Sequence, residues 1–231
     1  MSNYDDIRQR VYNANMELPR QGVVIYNFGN VSAIDRKERI VAIKPSGVMY
    51  DLLKAEDIVI LDLAGNIIAG DLKPSSDTKT HLVLYEKFPT IGGIVHTHSP
   101  YAVAWSQAAR PLPVYGTTHA DQTHLDIPCT AFMDDAMIQG DYEEETGHQI
   151  VKTFATLSYE EVQMVLVAGH GPFTWGQTPE KAVLNAVVLE ALAKMAFLTE
   201  QINPNVDRLK ETLIQKHYQR KHGPNAYYGQ G

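Results

Sequence analysis

Apolar residues at Ile7, Val11, Ala14 and Leu18 recur every three or four positions, the spacing of one helix face, and the pattern ends before Gly22. Beyond it the period shortens. Ile40-Val41-Ala42-Ile43 and Ile58-Val59-Ile60-Leu61 are short, β-prone apolar runs that predict strands, and Ala64-Gly65-Asn66 supplies a turn into Ile67-Ile68. The pattern next predicts a helix over 78–88, a strand over 91–97 behind paired glycines, a helix over 101–109 and a buried strand over 164–168. The last third is helical. Thr178-Pro179-Glu180 carries capping chemistry, apolar spacing over 182–202 predicts a long core helix that Asn203-Pro204 stops, and a second helix from about 205 to 221 leads into a tail, 223–231, rich in Gly, Asn and Tyr.

Helices and strands alternate, but the early strands are joined too tightly for crossover helices, so the expected fold is α/β, a three-layer αβα arrangement around a largely antiparallel sheet. With 231 residues, 44% of them hydrophobic, the chain can bury one substantial core, and a single domain over 1–231 is expected. The net charge of −7 is scattered and forms no basic stripe, which argues against a nucleic-acid or membrane partner. A lone Cys129 excludes an internal disulfide and any multi-cysteine zinc ribbon. The polar start at 1–10 lacks a signal-peptide core, and the most apolar stretch, 182–198, is broken by Asn185, Glu190 and Lys194. A soluble cytoplasmic protein is the expectation.

A metal, if bound, must use histidine and carboxylate. His96 and His98 end a predicted strand, and alternation points both imidazoles to one face. His170 follows another buried strand and precedes Gly171-Pro172. Strand-end placement of all three favours ligation over surface roles. Asp77 precedes a helix and can supply a fourth, carboxylate ligand or simply cap that helix. Three nitrogens and an oxygen suit Zn2+ first, with Mn2+ or Co2+ as alternatives, acting as a Lewis acid on a carbonyl.

Two polar loops can hold an anion such as a sugar phosphate: Lys44-Pro45-Ser46-Gly47 after a strand, and Pro74-Ser75-Ser76 at a helix start. Such loops are more often plain turns and caps. Asp121, in Thr117-Thr118-His119-Ala120-Asp121, can act as an acid or base or form an Asx turn. Two of the three glutamates Glu143, Glu144 and Glu145 read as caps of a helix start. Tyr227-Tyr228 in the tail can carry a proton or simply fray, and His217 and His222 share that ambiguity. His81, His124 and His148 read as surface histidines.

Taken in order, Gly29-Asn30-Val31-Ser32, Ile43-Lys44-Pro45-Ser46-Gly47-Val48, Pro74-Ser75-Ser76-Asp77-Thr78, Gly92-Gly93-Ile94-Val95-His96-Thr97-His98-Ser99 and Gly116-Thr117-Thr118-His119-Ala120-Asp121 resemble the L-ribulose-5-phosphate 4-epimerases of the class II aldolase/adducin-head family. The likeness continues through Ile127-Pro128-Cys129-Thr130, His170-Gly171-Pro172-Phe173 and the tail from Lys221 to Gln230. The resemblance implies a class II aldolase-like fold, metal ligation by Asp77, His96, His98 and His170, and a phosphate pocket from Asn30, Lys44, Ser46, Gly47, Ser75 and Ser76. It also implies that Asp121 and Tyr228 form a proton-transfer pair, with Thr117 and Glu143 supporting the site. In the family the tail reaches a neighbour's site in a fourfold homotetramer, so the segment 222–231, Tyr228 and His217 are expected to act across an interface. Asn27-Phe28 stands where Thr-Trp is familiar, and Gln122-Thr123-His124-Leu125-Asp126 replaces an aromatic-rich segment.

The implied reaction is metal-dependent epimerisation of L-ribulose 5-phosphate to D-xylulose 5-phosphate at carbon 4, by cleaving and remaking the C3–C4 bond, in arabinose or ascorbate breakdown. The alternatives are a sugar-phosphate aldolase of the L-fuculose-phosphate type and a non-catalytic assembly domain of the same fold.

Overall fold

In a computed structural model describing residues 4–224, 226 and 227, the opening amphipathic pattern forms α1 (Asp5–Arg20), which buries Val11, Ala14 and Leu18 along one face. A four-strand meander follows: β1 (Asn30–Asp35), β2 (Ile40–Ile43), β3 (Val59–Asp62) and β4 (Ile67–Ala69). Then come α2 (Thr78–Lys87), β5 (Gly93–His96), α3 (Pro100–Gln107), α4 (Thr117–Ala120), α5 (Asp135–Gln139) and α6 (Tyr142–Thr153). The chain continues through β6 (Met164–Leu166), β7 (Pro172–Gly176), α7 (Pro179–Ile202) and α8 (Glu211–His222). All seven strands join one sheet in the order β4-β3-β2-β1-β5-β7-β6, and every strand pair is antiparallel. The expected three-layer α/β fold is the one observed.

The register sorts the central side chains onto two faces. Val31 pairs with Val95, and Val95 with Thr174; these face α1 and α7, where Val31 and Val95 pack with Ala14, Leu18, Ala182 and Ala186. Thr174 Oγ1 donates to the Ala182 carbonyl at 2.8 Å. The helix can approach this closely because position 93 is glycine. A Cβ there would lie 2.3 Å from Pro179 Cα. On the other face Asn30 pairs with His96, and His96 with Phe173; Ser32 pairs with Ile94, and Ile94 with Trp175. Phe88 just beyond α2 and Phe154 just beyond α6 pack on Trp175. The metal-site candidates therefore line the end of the face that α2 and α6 cover.

Asn15 fastens α1 to the sheet. Fully buried, it accepts from the Val31 amide at 2.9 Å and donates to the carbonyls of Val11 and Val31. Length and composition alone would let α7 cross a membrane, but Ala182, Val183, Ala186, Leu189, Leu192, Ala193 and Ala196 are buried, as in a core helix.

Several expectations need correction. Two strands next to the site, β1 and β7, carry too much Asn, Ser, Asp, Pro and Gly to read as strands. The last helix begins at Glu211 rather than near 205, because the Leu209 amide, which a helix would bond to the Asn205 carbonyl, donates to the Val114 carbonyl instead. His81 is fully buried, not on the surface, and His124 is half-buried with its ring 4.5 Å from Tyr218. His148 is exposed, as expected.

Candidate active site

His96 closes β5, His98 follows two residues later, and His170 occupies the tip of the β6–β7 hairpin, where the Val167 amide donates to the Gly171 carbonyl. One nitrogen from each ring lies within 4.8 Å of the others. His96 Nδ1 is 2.9 Å from the Pro172 carbonyl, which can only accept, so Nδ1 carries the proton and Nε2 presents a lone pair. That Nε2 is 3.0 Å from His98 Nε2. Ligand atoms at the corners of a zinc tetrahedron are roughly 3.3 Å apart, so the spacing fits a small divalent cation. His170 Nδ1 faces the Tyr142 hydroxyl at 3.2 Å, which leaves its Nε2 for the cluster. Burial and the neighbouring His96 pull the His170 pKa down to about 3, so the ring is neutral, as ligation requires.

Asp77 precedes α2, but its side chain caps nothing. Its Oδ2 accepts from Asn30 Nδ2 at 2.6 Å, and the carboxylate borders the same cleft as the three histidines. Burial raises its pKa, yet His96, His81 and Asn30 outweigh burial and hold it below the usual carboxylate range. Three imidazole nitrogens thus converge, and the Asp77 carboxylate borders the same cleft without being one of that cluster of ligand atoms.

The two polar loops lie side by side. Ser75 donates its amide to the Lys44 carbonyl, Ser46 donates to the Lys73 carbonyl, and Pro45 bridges Pro74. The Gly47 and Ser76 amides have no partner among the described residues. Lys44 is 2% exposed; its Nζ donates to the Val48 carbonyl at 2.7 Å and lies over the Tyr50 ring. Burial lowers its pKa to about 8. Lys44, the loop amides, Asp77 and the three histidines share one cleft of about 370 Å3.

The family model for the Class II Aldolase and Adducin N-terminal domain matches residues 9–197. The chain belongs to that family. This class II aldolase domain is similar to a solved L-fuculose 1-phosphate aldolase, with 24% identity and a TM-score of 0.78 over 93% of this chain and 95% of that one. It is similar also to an L-fuculose 1-phosphate aldolase from Glaciozyma antarctica PI12 (16%, TM-score 0.76, 95% and 82%) and a sugar-phosphate aldolase from Thermotoga maritima (19%, TM-score 0.64, 89% and 97%). At these identities the likeness establishes the fold. Family membership points to a sugar-phosphate lyase or epimerase, typically dependent on a divalent metal.

Among residues expected at the site, Asn30, Lys44, Ser46, Gly47, Ser75, Ser76, Asp77, His96, His98, Glu143 and His170 all border the class II aldolase cleft. Glu143 is not a cap: Asp141 caps α6, accepting from the Glu144 amide. Asp121, Thr117 and His217 do not line this cleft. Asp121 instead meets α8 of its own chain. Arg220 donates to both its oxygens, at 3.0 and 2.6 Å, and His217 Nδ1 lies 3.1 Å away. Burial raises the Asp121 pKa, but Arg220 and His217 bring it below the usual range, so the carboxylate is ionised. Tyr228 lies outside the described residues. Sequence reasoning missed Tyr142, and it noted Phe28 only as a departure from a familiar Thr-Trp; Phe28 lines the cleft with its ring 5.7 Å from that of His98. The Tyr142-Glu143 pair at a helix start was the available signal.

Proposed function

We propose that the chain catalyses epimerisation at carbon 4 of L-ribulose 5-phosphate, giving D-xylulose 5-phosphate, as a cytoplasmic homotetramer. The observation that carries the reading is one cleft holding a cluster of three histidines, the Asp77 carboxylate, a buried lysine and unpaired loop amides. Carbon 4 is β to the carbonyl, so its hydrogen is not acidic and simple enolisation leaves that centre untouched. Inversion requires breaking the C3–C4 bond. The carbon-4 hydroxyl loses its proton to a base, the C3–C4 electron pair moves toward the carbonyl, and glycolaldehyde phosphate separates from an enediolate. A divalent cation held by His96, His98, His170 and Asp77 would supply Lewis-acid stabilisation of the negative charge on the carbonyl oxygen.

Lys44, Asn30, Ser46, Gly47, Ser75 and Ser76 keep the aldehyde fragment in place by its phosphate while it rotates and is attacked on its other face. Epimerisation then needs a proton carrier on each side of the aldehyde, and Asp121 and Tyr228 take these two roles. Asp121, ionised and bonded to α8, is a proton acceptor outside its own chain's cleft. It serves a neighbouring copy together with His217 and the tail, with Thr117 in support. The exposed apolar residues Leu184, Met195, Leu198 and Ile202 along α7 are consistent with assembly.

The test is pentulose interconversion by metal-loaded protein, with His98→Asn and Asp121→Asn chains also mixed and reassembled. Conversion by wild type, its loss in each variant and partial recovery in the mixture are expected. Stoichiometric free glycolaldehyde phosphate would instead identify an aldolase, and no turnover by the metal-loaded protein would refute both.

A further inference from the structure

His81 sits one helical turn beyond Asp77, fully buried, and takes no part in the reaction proposed above. Its Nδ1 is 2.7 Å from Ser32 Oγ, which is 2.8 Å from the Tyr85 hydroxyl. Its Nε2 is buried with no hydrogen-bond partner among the described residues, and so is Asn30 Oδ1.

Counting protons along this chain decides the tautomer. If His81 Nδ1 held the proton and Ser32 donated to Tyr85, the buried phenol proton would lack an acceptor among the described residues and Nε2 would be a buried lone pair with no donor. If Tyr85 donates to Ser32 and Ser32 donates to Nδ1, both hydroxyl protons are used and the one group left over is an Nε2–H. That donor belongs next to a carboxylate. Asp77 and His81 are four residues apart and share a helix face, and Asp77 is the charge that acts most strongly on the ring. Asp77 Oδ2 is taken by Asn30 and Ser75, while no bond to Oδ1 is formed among the described residues. Phe173 completes the packing, edge-on to His81 with centroids 6.0 Å apart and stacked on His96 at 4.3 Å.

We propose that His81 is a positioning residue of the metal centre: the Tyr85–Ser32–His81 relay fixes the Nε2–H tautomer and aims that donor at Asp77, turning the carboxylate toward the histidine cluster. This rests on the metal-binding reading of the cleft. It also accounts for three polar side chains occupying a part of the core where apolar ones would pack.

The experiment is a Co2+ titration of the metal-free full chain, followed by visible absorption, on wild type, His81→Gln and His81→Asn. A glutamine amide reaches the Nε2 position and keeps the donor; asparagine reaches only Nδ1. Wild type and His81→Gln are expected to bind within about threefold of one another, with the same spectrum, and His81→Asn about 10–100-fold more weakly with an altered one. Unchanged cobalt affinity and spectrum in His81→Asn, or equal loss in both variants, would overturn the positioning role while leaving the metal centre standing. No cobalt binding by wild type would overturn both. Should either variant fail to fold, the 15N spectrum of the wild-type imidazoles decides: an Nε2–H tautomer at His81 is expected, and an Nδ1–H tautomer refutes the relay.

Discussion

Lys44→Met separates stability from anion binding. Burial of Lys44, 2% exposed, brings its pKa from 10.5 to about 8. At about 1.36 kcal/mol per pH unit, that difference is roughly 3–4 kcal/mol of penalty on the buried cation. The native state holds this proton more weakly than the unfolded chain. Below pH 8 both states are protonated and the full penalty applies; between about 8 and 10.5 only the unfolded chain keeps the proton, so wild-type stability rises with pH; above 10.5 the penalty is gone. Methionine has no charge to desolvate and fills a similar volume. The hydrogen bond to the Val48 carbonyl is lost, which removes about 1.5–3 kcal/mol and leaves that carbonyl to solvent or a neighbour. The variant should therefore be about 0.5–2 kcal/mol more stable than wild type in urea unfolding at pH 7, and lose that advantage by pH 10. Phosphate-bearing substrate should raise the melting temperature of wild type but barely that of the variant, since the cation is the main charge facing the anion. A variant less stable at pH 7, or one whose advantage does not shrink between pH 8 and 10, would refute the burial argument. Undiminished substrate protection would remove Lys44 from the phosphate pocket.

His170→Ala should leave purified protein with substoichiometric zinc and lower turnover at least a hundredfold, checked by elemental analysis beside the assay. Tyr142→Phe removes the hydroxyl facing His170 Nδ1 and should weaken metal affinity about tenfold with little change in melting temperature, read by competition with a chromophoric chelator. Asn15→Leu strands the Val31 amide and carbonyl in the core, while the Val11 carbonyl keeps its helical bond, and should cost about 2–4 kcal/mol in urea unfolding, with metal content per folded chain unchanged.

Where a segment is buried on an apolar face, its fold was legible from periodicity alone: α1 through Val11, Ala14 and Leu18, β2 through its Ile-Val-Ala-Ile run, and α7 from its cap to Asn203. Concealment begins at the site. β1 is buried at Asn30 and Ser32 as completely as at Val31, because its polar side chains meet Asp77, His81 and Tyr85 instead of water. Alternation rules assume that buried means apolar, so they miss such a strand. β7 opens with Pro172 and closes with Gly176, punctuation that in sequence marks a loop. His81 looked like a surface residue for the same reason: its burial follows from its partners, which no spacing reveals. Among the candidate ligands, the three histidines could be read from strand ends, whereas Asp77 could not be told from a helix cap until its side chain was seen facing Asn30. The meeting of Asp121 with Arg220 joins positions 99 apart and leaves no local pattern.

The strand order β4-β3-β2-β1-β5-β7-β6 has a temporal meaning. Strands β1 to β4 pair with their nearest neighbours in sequence, a low-contact-order meander that can form as soon as residues 30–69 leave the ribosome. The other flank cannot be completed until β7 emerges, because β5 lies between β1 and β7. Asn30, opposite His96, stands on the seam where the early half of the molecule meets the late one. A nascent chain stalled before residue 170 holds a finished meander and an unfinished site, so the histidine cluster comes together only with the late strands.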